Sequence, residues 1–262
     1  MVGRLLRASR SWRRNAACAV VLMYHRIATP DVDPWDLCVS PEHFADHLTV
    51  LNGWGRVLPL PQLMRRLEEG TLPPHAIAVT FDDGYADNLH AAKPLLEAHD
   101  IPATFFITTG GLGQDREFWW DELERIFLQP GTLPDLLKVR IGEQTFWWTL
   151  HDDAVWSEQT ARQYRTWRAV DPPPTRRHAI YHSIWSLLLR RPHAEQQRVL
   201  DHLRDWADTS STARSTHRML ELDEVSQLAE GPLVEVGSHT VTHASLDALD
   251  PDVQHHEISQ GK

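Results

Sequence analysis

Two continuously apolar runs, one on each side of an amphipathic segment, constrain the fold more than any other feature of the sequence. Residues 76–81 (AIAVTF) and 103–108 (ATFFIT) lack the alternation of a half-exposed strand, which is typical of strands buried on both faces. Residues 87–99 between them carry leucines at helical spacing. Parallel strands need such a crossover, so the pattern predicts an α/β fold with a parallel sheet. Residues 19–23 predict an earlier buried strand, and residues 233–236 predict a later one.

Helices are predicted to cover this sheet. Pro61 is suited to open a helix in which Leu63, Met64 and Leu67 face the core. A last helix is expected after Pro251.

The composition changes over about residues 110–218, where Trp, His and Arg become frequent. Residues 137–141 and 145–150 predict a hairpin, and residues 175–189 and 193–206 predict amphipathic helices. We expect this stretch to be a mainly helical insertion packed on the main domain. Most of its tryptophans are expected in a core, because Trp at helical or strand spacing is usually packed.

The predicted organisation is a basic arm over residues 1–15 followed by one domain over residues 16–262. The formal net charge of −10 makes the chain a poor candidate for binding nucleic acid. No apolar run approaches the ~20 residues of a membrane-spanning helix, so no integral membrane segment is expected. The two cysteines, Cys18 and Cys38, form neither a disulfide framework nor a metal-type spacing. A cytoplasmic location is expected.

Two acidic residues follow the apolar run over residues 76–81, and two histidines follow the last predicted strand. Asp82 and Asp83 would repel each other in a partly buried site unless a cation were held there. His239 and His243 offer imidazoles near the end of another strand of the same sheet. Asp83, His239 and His243 make a three-ligand set for one divalent metal ion with an open position for water. Asp82 would lie beside that ion as a catalytic carboxylate.

A simple turn, a protease site and an oxygenase site are weaker interpretations of these residues. Asp-Gly is common turn chemistry, so Asp83-Gly84 alone could mark a strand end. A zincin protease needs Glu directly after the first His of its motif, and Thr240 stands there. A non-haem iron oxygenase also uses two His and one carboxylate. Its carboxylate normally belongs to a His-x-Asp pair on a β-sandwich, whereas Asp83 lies far upstream in an α/β pattern.

These motifs resemble those of the polysaccharide deacetylases, carbohydrate esterase family 4, also known as the chitooligosaccharide deacetylase homology domain. The two strongest matches are residues 80–85 (TFDDGY) and 238–243 (SHTVTH). Weaker similarities lie at residues 22–26 (LMYHR), 102–106 (PATFF), 118–124 (FWWDELE) and 257–259 (EIS). The 118–124 segment resembles a subgroup that carries an insertion between the first two motifs.

The resemblance implies a distorted (β/α) barrel and metal-dependent hydrolysis of N-acetyl groups on the amino sugars of a glycan. It assigns Asp83, His239 and His243 as metal ligands and Asp82 as the general base. The metal would be zinc, with cobalt or another divalent ion as a substitute. A backbone donor near Tyr85 would help to stabilise the oxyanion.

Further substrate contacts are expected from His25 at the end of the first strand, from Tyr85, and from Trp119 and Trp120 near the first motif. A structural role for His25 is an equal alternative.

The later part of the family pattern is not found in this chain. Only nineteen residues follow His243, and they contain none of the later motifs, including the His that serves as general acid. His255 and His256 lie on the predicted last helix and are expected to face solvent. The expectation is therefore a barrel incomplete at its C-terminus. A binding homologue with little or no turnover and an amidase for a small non-sugar substrate are the alternative functions.

Overall fold

The two apolar runs form neighbouring parallel strands within one sheet. The computed structural model describes residues 18–262, so the predicted basic arm over residues 1–15 lies outside the described residues. The assignment of residues 16–262 to one domain stays a prediction.

Eleven strands are present among the described residues. They are β1 (Ala19–Tyr24), β2 (Arg26–Ile27), β3 (Cys38–Val39), β4 (Arg56–Val57), β5 (Ala76–Phe81), β6 (Ala103–Ile107), β7 (Gly131–Thr132), β8 (Leu136–Ile141), β9 (Gln144–Thr149), β10 (Val155–Trp156) and β11 (Val234–Ser238).

Nine α-helices accompany these strands in the same part of the chain. They are α1 (Pro41–Trp54), α2 (Leu60–Glu68), α3 (Lys93–Ala98), α4 (Trp119–Phe127), α5 (Glu158–Tyr164), α6 (Arg176–Leu188), α7 (His193–Ala207), α8 (Leu222–Leu228) and α9 (Pro251–Gln260). Short 3₁₀ turns lie at Thr109–Gly111, His151–Ala154 and Leu246–Ala248. No helix among residues 18–262 combines the length and the apolar character needed to cross a bilayer.

The main sheet is parallel, with the order β1-β5-β6-β11 and β4 pairing with the start of β5. This confirms the predicted α/β class. Within the described residues no strand pairing joins β1 to β11, so the sheet is open there. The closed barrel stays a prediction.

The first strand lies where predicted, but the prediction that it is buried was wrong. Val21 is 50% exposed and Met23 is 62% exposed. β1 pairs with β5 alone among the described strands, so it forms an edge of the sheet and only one of its faces is packed. Strand order cannot be read from the strand's own apolar composition.

Two helix predictions also need correction. In α2 only Leu63 is buried, whereas Met64 and Leu67 are 45% and 43% exposed. Leu63 packs with Ala76 and Ala78 of the sheet, and the half-buried Leu60 at the start of the helix packs against the same cluster. The single helix predicted over residues 87–99 is instead a π-helical turn at Asn88–Ala92 followed by α3.

The insertion is built around its own core. β8 and β9 form the predicted antiparallel hairpin, with Leu137, Val139 and Ile141 directed inward. Helices α4, α6 and α7 pack with it. Completely buried side chains of this cluster include Phe127, Tyr181, Ile184, Leu188 and Leu203. Among the tryptophans, Trp156 and Trp167 are buried as predicted, whereas Trp147 is 60% exposed.

A buried arginine ties the separate pieces of the insertion together. Arg177, on α6, is 1% exposed and donates hydrogen bonds to four backbone carbonyls. These carbonyls belong to Gln129, Gly131, Asp153 and Ala154. Burial lowers the pKa of Arg177 to about 10. The guanidinium therefore replaces water for loop carbonyls that would otherwise be buried without partners.

A second buried network joins the insertion to the main sheet. The Tyr85 hydroxyl donates to Asp121 Oδ2 at 2.7 Å and accepts from Trp120 Nε1 at 2.9 Å. The Arg26 guanidinium lies 4.4 Å from the centre of the Tyr85 ring. Burial raises the pKa of Asp121 to about 7, even though the charge of Arg26 lowers it.

We expect Arg177→Ala to lower the free energy of unfolding by about 3 kcal/mol, because four buried carbonyls lose their donor. Urea denaturation followed by tryptophan fluorescence measures this. The neighbouring Arg176 is exposed, so Arg176→Ala is the matched control with a change of about 0.5 kcal/mol or less. Equal losses in the two variants would contradict the role of Arg177.

We expect the Asp121 carboxyl group to make the free energy of unfolding depend on pH. Its folded pKa of about 7 lies above the unfolded value of about 3.9, so its contribution is full below that value and is lost as the pH rises through 7. Asp121→Asn keeps an acceptor for Tyr85 but removes the titration. Its unfolding free energy, relative to that of the starting protein, should increase from pH 5 to pH 8 in urea titrations. The exposed Asp152→Asn is the control, and parallel pH profiles for Asp121→Asn and the starting protein would contradict the prediction.

Candidate metal centre

The carboxyl end of the parallel sheet brings the two predicted motifs together. The backbone of β6 lies between them: Thr108 N–H donates to Asp83 O at 3.0 Å, and His239 N–H donates to Ile107 O at 2.8 Å. Asp82 N–H donates to Tyr24 O at 2.9 Å on the other side. The two motifs, far apart in sequence, are therefore held by hydrogen bonds to neighbouring strand ends.

Three of the four predicted site residues meet at one point. His239 Nε2 lies 3.7 Å from Asp83 Oδ1, and His243 Nε2 lies 3.3 Å from the same oxygen. The three donor atoms all lie within 4.8 Å of one another. Asp83 is 1% exposed, whereas the two imidazoles are half-buried and face a cavity.

These donors fit a divalent metal ion. Asp83 Oδ1 is buried and accepts no hydrogen bond from the described residues, which is an expensive state for a carboxylate oxygen. Bonds of about 2.0–2.1 Å in a tetrahedral site would separate neighbouring donor atoms by about 3.3 Å. The two distances to Asp83 Oδ1 are close to that spacing, and two imidazoles with one carboxylate suit zinc.

Backbone strain is concentrated at the same place. Asp83, Thr240 and His243 all have positive φ angles, of 76°, 66° and 56°. Such angles are uncommon for residues with a side chain, and for a β-branched Thr they are exceptional. Strained backbone of this kind gathers at functional sites, where the surrounding structure enforces it. Gly84 is required after Asp83, because its φ is 90° and a Cβ would lie 2.8 Å from Ile107 Cγ2.

The pKa values of the titratable groups at this site are shifted in different directions. Burial raises the pKa of Asp82, although nearby His239 and His25 lower it. Burial and then the neighbouring His243 lower the pKa of His239. For His243 burial also acts to lower the pKa, but the adjacent Asp83 carboxylate outweighs it and raises the pKa. The two carboxyl groups thus differ in their surroundings. Asp83 is directed at the two imidazoles, whereas Asp82 is half-buried beside them.

A cavity of about 460 Å³ opens over these residues. Three of the predicted substrate-contacting residues, His25, Trp119 and Trp120, line it together with Asp83, His239 and His243. The Trp120 ring lies 4.8 Å from the His243 ring. The two tryptophans are largely buried, at 5% and 7% exposure, so they form the cavity wall and do not project from the surface.

The Tyr85 side chain does not line the cavity. Tyr85 is 0% exposed, and its hydroxyl is taken up by Asp121 and Trp120. The chain turns at Gly84, so the ring that follows points into the insertion and away from the cavity. The Tyr85 side chain thus acts on the site only by supporting Trp120, and a substrate contact at Tyr85 stays a prediction for its backbone.

Glu257 supports the candidate site in a way that its sequence did not indicate, although residues 257–259 resemble a segment of the family. It lies on α9, is 5% exposed, and accepts hydrogen bonds from Val241 N at 2.9 Å, Thr242 N at 2.8 Å and Thr242 Oγ1 at 2.7 Å. The turn between His239 and His243 is therefore held by one buried carboxylate. Nothing in the spacing of Glu257 distinguishes it from an exposed acid on an amphipathic helix.

The neighbours of Glu257 behave as predicted. His255 and His256 are exposed, so neither reaches the candidate centre from α9. Trp35, Trp185 and Leu246 also line the cavity, although no motif or spacing in the sequence singled them out.

Part of the chain is similar in sequence to a known family. Residues 69–132 match the family described as polysaccharide deacetylase. A protein of Bacillus subtilis (strain 168), YxkH, whose name places it among the polysaccharide deacetylases, is 26% identical over 108 residues. That match covers 40% of this chain and 37% of the relative, so the alignment spans little more than a third of the relative's length.

Two solved structures are similar to this one at low sequence identity. The Streptococcus pyogenes deacetylase PplD, solved in complex with acetate, has a TM-score of 0.48 and 18% identity over 93% of this chain and 66% of its own. A polysaccharide deacetylase from Bacillus cereus has a TM-score of 0.46 and 16% identity over 93% of this chain and 45% of its own. The sequence matches, which include the Asp82-Asp83 motif, make residues 69–132 of this chain similar to the polysaccharide deacetylase family.

Proposed function

We propose that this protein is a metal-dependent hydrolase that removes N-acetyl groups from amino sugars of a glycan. The observation that carries the proposal is the buried Asp83 Oδ1, which has no hydrogen-bond donor among residues 18–262 and lies beside His239 Nε2 and His243 Nε2. Asp83, His239 and His243 would hold one divalent ion, zinc or a substitute such as cobalt. When bound, the ion supplies Lewis-acid polarisation of the acetyl carbonyl and a lowered pKa for water.

Asp82 is the proposed general base. Its carboxyl follows Phe81 at the strand end and adjoins the three donor residues. Its raised pKa brings it closer to the operating pH, where a carboxylate is a more effective proton acceptor. Asp82 would take a proton from water as the oxygen adds to the carbonyl carbon. The C–N bond then breaks as the proton held by Asp82 is passed to the departing nitrogen, directly or through water, which releases acetate and a free amine.

The chain also offers a backbone donor for the oxyanion. The Tyr85 N–H donates to no acceptor within residues 18–262, while its neighbours Gly84 and Ala86 do donate. We assign this N–H to the developing negative oxygen, which is the helper expected near Tyr85. His25, which lines the same cavity, would contact the sugar.

Two substitutions distinguish the proposed metal-binding role of Asp83 from the proposed general-base role of Asp82. Asp83→Ala should lose bound zinc, as measured by elemental analysis after dialysis. Asp82→Asn should keep the zinc but release acetate from N-acetylglucosamine oligomers about 10²–10⁴-fold more slowly. The exposed Asp152→Asn serves as the control for both measurements. Undiminished zinc in Asp83→Ala, or unchanged acetate release by Asp82→Asn, would refute the assigned roles.

We expect substitution of Glu257 to lower the metal affinity, although Glu257 is not one of the proposed metal ligands. Glu257→Ala leaves the Val241 and Thr242 amides without an acceptor, so the two histidines should be held less firmly. We expect zinc affinity, measured by competition with a chromogenic chelator, to fall about 10–100-fold. Hydrogen exchange of the Val241 and Thr242 amides should be faster in the same variant. The exposed neighbour His256→Ala should change neither quantity, and unaltered zinc affinity in Glu257→Ala would remove Glu257 from the site.

A further inference from the structure

The outer part of the cavity differs chemically from its metal-binding end. Its wall consists of Trp35 and Leu37 from the loop between β2 and β3, Trp185 and Leu189 from α6 and its C-terminal end, and Leu246 from the segment after His243. Three separate segments of the chain therefore direct apolar side chains into the same space. This wall is continuous with the candidate metal ligands, so its occupant is part of the substrate.

The wall offers few partners for sugar hydroxyls. Besides His25 and the candidate ligands, its polar side chains are Thr240 and Ser245. Thr240 Oγ1 already accepts from His243 N at 3.0 Å, and Ser245 Oγ donates to Leu189 O at 2.8 Å. A second sugar ring placed here would lose water from hydroxyls that find little replacement, which is unfavourable.

The tryptophans are also arranged unlike a stacking platform for a pyranose. The Trp35 and Trp185 rings lie 4.0 Å apart at an angle of 30°, so they cover each other's faces. Trp119 lies 5.9 Å from Trp185. The Trp35 N–H is used by the Tyr181 hydroxyl at 2.7 Å. Apart from the indole N–H groups of Trp119 and Trp185, what the cluster presents to the cavity is hydrocarbon surface, which suits an apolar chain.

The orientation of the substrate follows from which end of the cavity is closed. Trp120 lies beside His243 and is held by Tyr85, so its indole forms the wall of the inner end, where the acetyl methyl group of the substrate would lie. Leu189 is 38% exposed and marks the mouth. A large apolar group therefore lies toward the mouth, on the far side of the sugar from the acetyl group.

Two contacts at the outer opening of the cavity hold its walls together in the absence of substrate. The Ser245–Leu189 hydrogen bond and the Arg190–Asp247 ion pair, at 2.8 Å, join the end of α6 to the segment that follows His243. The insertion thus contributes a wall whose position is fixed relative to the candidate metal ligands.

We infer that the substrate is an amino sugar carrying an apolar aglycone, and that Trp35, Trp185, Leu189 and Leu246 bind this aglycone. The inference rests on the proposed deacetylase function for the position of the sugar. The wall selects a glycoside with a hydrocarbon group next to the acetylated ring, in preference to a long unsubstituted glycan.

Binding is tested with the zinc-loaded Asp82→Asn protein, so that no turnover interferes. The probes are the methyl and octyl β-glycosides of N-acetylglucosamine and chitotetraose, measured by isothermal titration calorimetry below the micelle concentration of the octyl compound. We expect the octyl glycoside to bind at least about tenfold more tightly than the methyl glycoside, because its alkyl chain leaves water. Chitotetraose should bind no more tightly than the methyl glycoside.

Two variants test the wall itself. Trp185→Ala should reduce the octyl preference to about twofold or less while zinc content is unchanged. Leu189→Ser changes a residue at the mouth that tolerates a polar side chain, and should reduce the preference even if Trp185→Ala folds poorly. Trp147→Ala, on the exposed face of the hairpin, is the matched control and should keep the full preference.

The outcomes separate this inference from the proposed function. Equal affinity for the two glycosides, or tighter binding of chitotetraose that is lost in Trp185→Ala, would overturn the aglycone site. Acetate release from the methyl glycoside by the starting protein, without an octyl preference, would leave the deacetylase proposal standing alone. An octyl preference that depends on Trp185 and Leu189, without acetate release from either glycoside, would support the apolar site and count against the deacetylase.

Discussion

The structure depends on the backbone pairing of β6 with its two neighbours. β6 pairs in parallel with β5 on one side and with β11 on the other. The chain segments that follow β5 and β11 therefore leave the sheet at the same edge. Two hydrogen bonds beyond the strands, Thr108 N to Asp83 O and His239 N to Ile107 O, extend this pairing into the motifs themselves. A shift of one residue in either register would point Asp83 or His239 to the opposite face. The strand pairing therefore determines whether the candidate centre exists.

Bringing these groups together carries a free-energy cost, and the surrounding residues offset it. A buried carboxylate without a donor and three left-handed residues are each unfavourable alone. The three bonds accepted by Glu257 hold the turn that contains Thr240, and the contact of Asp83 with His243 reduces the cost of the buried charge. A cation at this point would remove the remaining imbalance, which is why the arrangement favours a metal site over a structural ion pair.

Much of this could be predicted from the sequence because the relevant signals are local. Apolar runs predicted β5 and β6, and alternation on each side of Gly142 predicted the hairpin. The pairing of Asp83 with His239 and His243 followed from strand ends in a parallel sheet. The exposure of β1 and the burial of Tyr85 were not predictable in this way, because they depend on strand order and on the direction of the chain after Gly84. Glu257 was missed for a related reason: its partners are backbone amides, exposed by a turn whose positive φ angles no residue type indicates.

The insertion adds to the sheet a surface that the strand ends alone do not provide. A parallel sheet alone presents its strand ends to solvent, where a long polymer could pass across the candidate metal ligands. Here α6 approaches the segment after His243 closely enough for Ser245 and Leu189 to hydrogen-bond, and Trp185 meets Trp35 from the opposite side. These contacts convert an open edge into a pocket that ends at Trp120. The added wall is apolar, and its two hydroxyl groups already have hydrogen-bond partners. It therefore favours an apolar substrate group that fits the pocket and releases water on binding. The proposed reaction and the proposed substrate selection thus depend on separate parts of the chain, the strand ends for the first and the insertion for the second.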